Sequence, residues 1–146
     1  MFDESYRRLT QFFADVKTGY PIDPTAIFLL GFSMGTMMSY ALSLTDPGSV
    51  KGIIANSGYI PEETDLKFQW DRITGMHFFV AHGLHDPVIP VQFARRARLL
   101  LEQANVDLIY REYPMAHQIS EESLNDMSVW LTGILNARVK MQNEKE

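Results

Sequence analysis

The stretch Ala26-Ile27-Phe28-Leu29-Leu30-Gly31-Phe32-Ser33-Met34-Gly35 constrains the fold of this chain more than any other. Ala26 to Leu30 is an unbroken apolar run, too short for a typical helix, and an amphipathic segment begins at Met34. A chain that passes from strand to helix across Gly-x-Ser-x-Gly needs small residues on both sides of the bend. A side chain at Gly31 or Gly35 would hold the helix away from the strand. The bend lifts Ser33 out, so that its hydroxyl projects above the strand end. Alone, the pentapeptide is a weak signal, because any strand-to-helix turn can carry it.

The rest of the chain supplies context. With 146 residues, of which 46% are hydrophobic, it suits one domain with a real core, expected over residues 1–137, followed by a polar tail at 138–146 that should fray. The formal charge is −5, and the densest basic cluster, Arg95, Arg96 and Arg98, has the spacing of a wet helix face. Nucleic acid is therefore not an expected partner, since phosphate binding needs clustered positive charge. The absence of cysteine excludes disulfides, thiolate metal sites and a thiol nucleophile. No apolar run is long enough for a membrane span, and Met1-Phe2-Asp3-Glu4-Ser5 does not resemble a signal peptide, which makes the cytoplasm the expected location.

Read in order, Phe2, Tyr6, Leu9, Phe12, Phe13 and Val16 recur at helical spacing, with Asp3 as the expected cap, Gly19 as the stop and one buried stripe. Ala26 to Leu30 reads as a strand covered on both faces, as in a parallel sheet. Met34 to Leu44 reads as a helix, Lys51 to Asn56 as a second strand, and Ser57 to Gly75 as a loop with at most a short helix. Phe68 and Trp70 in that loop are candidates for lining a substrate pocket, although aromatic residues under a long loop also serve as its anchor. His77 to Ala81 is the third strand, Pro90 to Gln103 a helix, and Val106 to Glu112 a mixed-polarity strand suited to a sheet edge. After the Tyr113 to Gln118 loop, Ser120 caps a final helix. The alternation predicts an α/β fold, with a parallel sheet of about four strands flanked by helices and a ligand site at the carboxyl ends of the strands.

Three polar candidates emerge at that rim: Ser33 after the first strand, Asp86 after the third and His117 after the fourth. A serine hydroxyl needs an imidazole to take its proton, and the imidazole needs a carboxylate on its other nitrogen to fix its tautomer. Ser33, His117 and Asp86 fit these roles. His117 could equally be a solvated loop histidine, and Asp86 could simply begin a turn with Pro87. His82, His85 and Asp86 invite a zinc reading, but no second cluster lies nearby in sequence, so neither metal nor cofactor is expected. His82 suits a packing or hydrogen-bonding role at the strand end.

Gly31-Phe32-Ser33-Met34-Gly35, then His82-Gly83-Leu84-His85-Asp86-Pro87-Val88-Ile89-Pro90, then Met115-Ala116-His117 resemble the carboxylesterase/phospholipase family of α/β-hydrolases, which includes acyl-protein thioesterases. The resemblance spans nearly the whole chain, and the order Ser, Asp, His is that of α/β-hydrolases. It implies Ser33 as nucleophile, Asp86 as orienting acid, His117 as general base, and the backbone N–H of Met34 in an oxyanion hole. Met34 replaces the glutamine usual in the family, which bears on pocket polarity because only the backbone N–H is needed. Phe68, Trp70, Met34 and Met115 would then line an apolar acyl pocket.

The family also carries, well before its elbow, a strand ending in a His-Gly-rich loop that supplies a second oxyanion donor. This sequence has no counterpart, so the chain resembles the C-terminal part of such an enzyme, a partial α/β-hydrolase fold. The Ala26 to Leu30 strand should consequently have one open edge, covered by a second copy, a swapped element or a preceding segment. The expected activity is hydrolysis of a carboxylic ester or thioester through an acyl-enzyme. The rival readings are a truncated, non-catalytic fragment acting through association, and a binding module that holds an anion at the Ser33 turn.

Overall fold

The computed structural model describes residues 1–145. Its elements run α1 (Phe2–Gly19), β1 (Phe28–Phe32), α2 (Met34–Thr45), β2 (Gly52–Asn56), β3 (His77–Gly83), α3 (Val91–Gln103), β4 (Asp107–Tyr113) and α4 (Glu121–Asn143), with a 3-10 turn at Trp70–Arg72 between β2 and β3. The four strands form one parallel sheet in the order β1-β2-β3-β4. Each strand is joined to the next by a crossover, and all four therefore deliver their carboxyl ends to one rim.

Sheet positions alternate between two layers of core. On one face Ile53, Phe78 and Val80 pack with Tyr40 and Leu44 of α2 and Ala97 and Leu101 of α3. On the other, Ile54, Phe79 and Ala81 pack with Tyr113, Met115 and Met127, and with Trp130 of α4. This two-sided burial explains why β2 reads as an unbroken apolar run, since both sets of alternating side chains are inside. α2 is buried from Thr36 to Leu44, more completely than a one-sided stripe, because α1 crosses it opposite the sheet.

Four expectations need correction. β1 begins at Phe28 and runs to Phe32, two residues later than Ala26 to Leu30, because the ladder with β2 continues to the elbow through the Phe32–Asn56 pair. α1 has no fully buried residue, and Phe12 is 63% exposed. It touches the body mainly through α2, with Tyr6 hydrogen-bonded to Thr45 at 2.7 Å. Its cap is Met1, which leaves Asp3 in the first turn, where a carboxylate faces the positive end of the helix dipole.

The final helix does not stop at residue 137, because α4 continues into the expected tail as far as Asn143. The Arg138 guanidinium donates to the Thr25 carbonyl at 2.8 Å and to Asp23 Oδ2 at 2.7 Å, and it also reaches the Thr25 hydroxyl. This clamp fastens the last turns of α4 to the loop before β1. At its start, α4 has the expected Ser120 cap, reciprocated by Ser123.

Among the described residues β1 pairs only with β2. Ile27 and Leu29 pack toward α2, whereas Phe28 turns to α4 and meets Trp130 edge-on at 6.3 Å. Leu30, on the α4 side of the strand, remains 58% exposed. No helix among the described residues is long and apolar enough to cross a membrane.

Packing is close where β1 meets α2, and of the two elbow glycines only Gly31 is needed for it, since a Cβ on Gly35 would meet nothing within 4 Å. A Cβ on Gly31 would come within 2.5 Å of the Gly35 carbonyl group and the Thr36 nitrogen, all rigid backbone atoms. Gly31→Ala should therefore destabilise the fold by about 2–3 kcal/mol, the upper range for overpacking. Urea denaturation should show this as a lower midpoint, and an unchanged midpoint would refute the contact.

Candidate active site

Ser33 sits between β1 and α2 with φ 54° and ψ −118°, a conformation that non-glycine residues rarely adopt. Its neighbours hold it there. The Ser33 N–H donates to the Asn56 carbonyl at 3.0 Å, and the Ser33 carbonyl accepts from the N–H groups of Thr36 and Met37 at 3.0 and 3.3 Å. The buried Thr36 hydroxyl donates to the same Asn56 carbonyl at 2.6 Å. A strained residue costs about 1–3 kcal/mol and persists only when its surroundings over-determine it. Here the end of β2 does so.

Asp86 lies in the turn after β3, and its carboxylate is buried. Oδ1 accepts from the N–H groups of Val88 and Ile89 at 2.8 and 2.9 Å, which makes the Asp-Pro turn. Oδ2 accepts from His117 Nδ1 at 2.8 Å. The turn role and the orienting role thus coexist, one on each oxygen. Burial alone would raise the Asp86 pKa, but the His117 hydrogen bond and the Ile89 and Val88 N–H groups outweigh it and hold the carboxyl below its usual range.

His117 stands on the loop between β4 and α4, with Nε2 3.0 Å from Ser33 Oγ. With Nδ1–H committed to Asp86, Nε2 is left as an acceptor facing the serine hydroxyl. The loops bearing Asp86 and His117 are zipped together by backbone bonds, from Leu84 N–H to the Tyr113 carbonyl at 2.9 Å and from His85 N–H to the Met115 carbonyl at 3.1 Å. Gly83 permits this, since a Cβ there would lie 2.3 Å from the Met115 and Ala116 carbonyl oxygens.

Ser33, Asp86 and His117 are therefore joined in one hydrogen-bond chain. Met34 opens α2, and its N–H, the first of the helix, lacks an intrahelical acceptor and can meet an anion. Its side chain is exposed beside Ser33. The buried His82 imidazole donates from Nε2 to the Ile89 carbonyl at 2.8 Å, and thus braces the Asp86 turn. That engagement removes it from a ligand set with His85. Among the described residues no group of three or more His, Asp or Glu side chains is placed to hold a metal ion.

The candidate pocket residues fare differently. Phe68 and Trp70 meet each other edge-on at 5.9 Å and pack against the core beneath their loop. Gln69 N–H binds the Leu44 carbonyl at the far end of α2, and Trp70 lies beside Leu100 and Ala104 at the far end of α3. A helix of twelve residues is about 18 Å long, so these aromatics anchor the loop at the end of the sheet opposite Ser33. Met115 is buried in the core under α4, where it supports the His117 loop from within.

The exposed apolar side chains at the active rim are instead Phe32, Met34, Leu84, Val88, Phe93 and Ile119. Phe32, Leu84, Val88 and Ile119 each stand within two positions of a member of the polar chain. That proximity is the sequence signal that could have singled them out.

The chain is similar to known proteins. The phospholipase/carboxylesterase family model matches residues 1–135. A probable carboxylesterase SOBER1-like protein of Arabidopsis thaliana is 29% identical over 112 residues, covering 75% of this chain and 43% of that protein. Acyl-protein thioesterase 1 of Kluyveromyces lactis is 30% identical over 119 residues, covering 78% of this chain and 52% of its own. Among solved structures, esterase PE8 superposes with a TM-score of 0.80 at 27% identity, covering 91% of this chain and 61% of its own. The Bacillus cereus carboxylesterase, with a TM-score of 0.76 at 18% identity and covering 90% of this chain and 61% of its own, shares the fold. The chain spans about half the length of the curated relatives it matches. With the family model matching nearly end to end, the chain belongs to the phospholipase/carboxylesterase family of α/β-hydrolases.

Proposed function

We propose that this chain carries the nucleophile, base and orienting acid of a serine hydrolase that cleaves carboxylic esters or thioesters. The observation that carries the reading is the hydrogen-bond chain from Ser33 Oγ through His117 to the buried Asp86. In the first half-reaction Ser33 Oγ attacks the acyl carbon while His117 Nε2 takes the hydroxyl proton. The imidazolium, held by Asp86, returns that proton to the departing alcohol or thiol, leaving an acyl-serine. Water then attacks the acyl-serine, His117 takes and returns the proton again, and the acid departs with Ser33 restored.

In this reading the Met34 N–H, at the start of α2, donates to the oxyanion of the tetrahedral intermediate. Removing one donor from such a hole costs about 10²- to 10³-fold in rate, so the level of turnover depends on what supplies the second. Apolar substrate groups are favoured by exposed Met34, Val88 and Phe93 at the rim. A cavity of about 250 Å³ between the loop after β2 and the first half of α3 adds to this, with Tyr59 and Phe93 rings 5.0 Å apart in its lining.

The edge of β1 left unpaired among the described residues, together with the exposed Leu30 on that strand, supports a further proposal, that a second copy, a swapped element or a preceding segment covers this edge. Sedimentation tests it, and a stable monomer with the edge bare counts against it. The non-catalytic alternative draws on the same exposed edge and on the half-length match. It predicts correct folding with ester hydrolysis at the uncatalysed rate.

A fluorophosphonate probe should label the protein at Ser33, and Ser33→Ala and His117→Ala should each lower labelling or turnover about 10³-fold or more. Labelling that persists in Ser33→Ala sinks the hydrolase reading.

Asp86 generates a prediction with a definite sign. Its carboxyl titrates below the usual carboxylate pKa of about 4, so its stabilisation is complete above that pH and disappears as pH falls through that range and below. Asp86→Asn should flatten the acid side of the plot of Tm against pH. It should also lower kcat about 10⁴-fold, because the amide no longer selects the Nδ1–H tautomer.

A further inference from the structure

Phe32 is the residue before the nucleophile, and the hydrogen-bond chain does not use it. Its placement follows from the elbow. Gly31 must face α2, where no side chain fits, so strand alternation turns Phe32 to the α4 side, the side on which the loop bearing His117 returns. There its ring lies 4.9 Å from the imidazole of His117, centroid to centroid, with the planes inclined at 45°. Its neighbour across the ladder, Asn56, is turned into the same layer and donates to Met127 Sδ at 2.9 Å. Phe32 itself is 38% exposed, and among the described residues no strand pairs with β1 on its open side.

The two hydrogen bonds of His117 leave one motion unopposed. A ring held at Nδ1 by Asp86 and at Nε2 by a hydroxyl is fixed at two points, both in its own plane. Neither bond resists tilting about the line joining them, and once Ser33 gives up its proton and attacks, Nε2–H must turn from the serine oxygen to the leaving group. At that moment Asp86 is the one lasting anchor of the cation. A ring at 4.9 Å obstructs the tilt and lies within the distance over which an aromatic ring attracts a cation.

We propose that Phe32 is a positioning residue, whose ring holds the His117 imidazole in line with Ser33 and steadies it as the imidazolium forms. This rests on the serine-hydrolase reading above. It adds a third support to His117, from the strand that delivers the nucleophile, so that base and nucleophile are positioned by adjacent residues, Phe32 and Ser33.

Phe32→Leu and Phe32→Tyr separate the ring from mere bulk, since leucine keeps an apolar side chain without a π face and tyrosine keeps the ring. Phe32→Leu should lower kcat and the maximal rate of fluorophosphonate labelling about three- to tenfold, with KM changed less than twofold and thermal unfolding nearly that of wild type. Phe32→Tyr should restore both rates. In NMR spectra of the full chain, the His117 ring protons should carry a ring-current shift that disappears in Phe32→Leu and persists in Phe32→Tyr.

Wild-type rates in Phe32→Leu overturn the proposal, as does a Phe32→Tyr variant as slow as Phe32→Leu. If the wild-type chain keeps the ring-current shift but does not label at Ser33, the hydrolase reading fails and the catalytic role of Phe32 falls with it. If labelling is normal and the ring-current shift is absent, the hydrolase reading survives and this proposal does not.

Discussion

The carbonyl oxygen of Asn56 is the point on which the site depends. It accepts the N–H of Ser33 and the hydroxyl of Thr36, and so binds the end of β2 to both sides of the elbow. Ser33 can remain at a positive φ only because these bonds, and the helix that starts at once beyond it, leave no relaxed alternative. The energy is modest, a few hydrogen bonds of about 1 kcal/mol net each, but all act on one residue. Strain is concentrated at the residue whose side chain must stand clear of the sheet.

Parallel strand topology does the rest. The three polar residues lie 53 and 31 positions apart along the chain, yet each follows a strand of the same sheet and is set down at the same end. The final approach depends on Gly83, where the absence of a side chain lets two rim loops share backbone hydrogen bonds. Precision here comes from backbone contacts, and the polar side chains then need only short reaches.

The residues that were legible in the sequence are those whose roles follow from local pattern. The apolar run into Gly31-Phe32-Ser33-Met34-Gly35, the Asp-Pro turn and the late loop histidine each announce themselves within a few positions, and alternation of strands and helices gives the sheet. Less could be read where the outcome depends on distant contacts. Nothing near Arg138 in sequence reveals that Asp23 and Thr25 wait to hold it, so the end of α4 read as a loose tail. Phe68 and Trp70 look like pocket residues by type, and only their packing against the ends of α2 and α3 shows them as anchors. Phe32 was passed over because strand periodicity assigns it a face without saying that a histidine lies on that face.

The Arg138 clamp has a mechanical consequence. α4 is 23 residues long, about 34 Å, and begins four residues after His117. At its other end it grips the segment that feeds β1. The helix therefore acts as a tie-rod between the histidine loop and the root of the serine strand, across the sheet face that carries Ile54 and Phe79. Loosening at that root is transmitted along the rod, so the amides of Asp23 to Phe28 and those of the last turns of α4 should exchange with solvent as one cooperative unit.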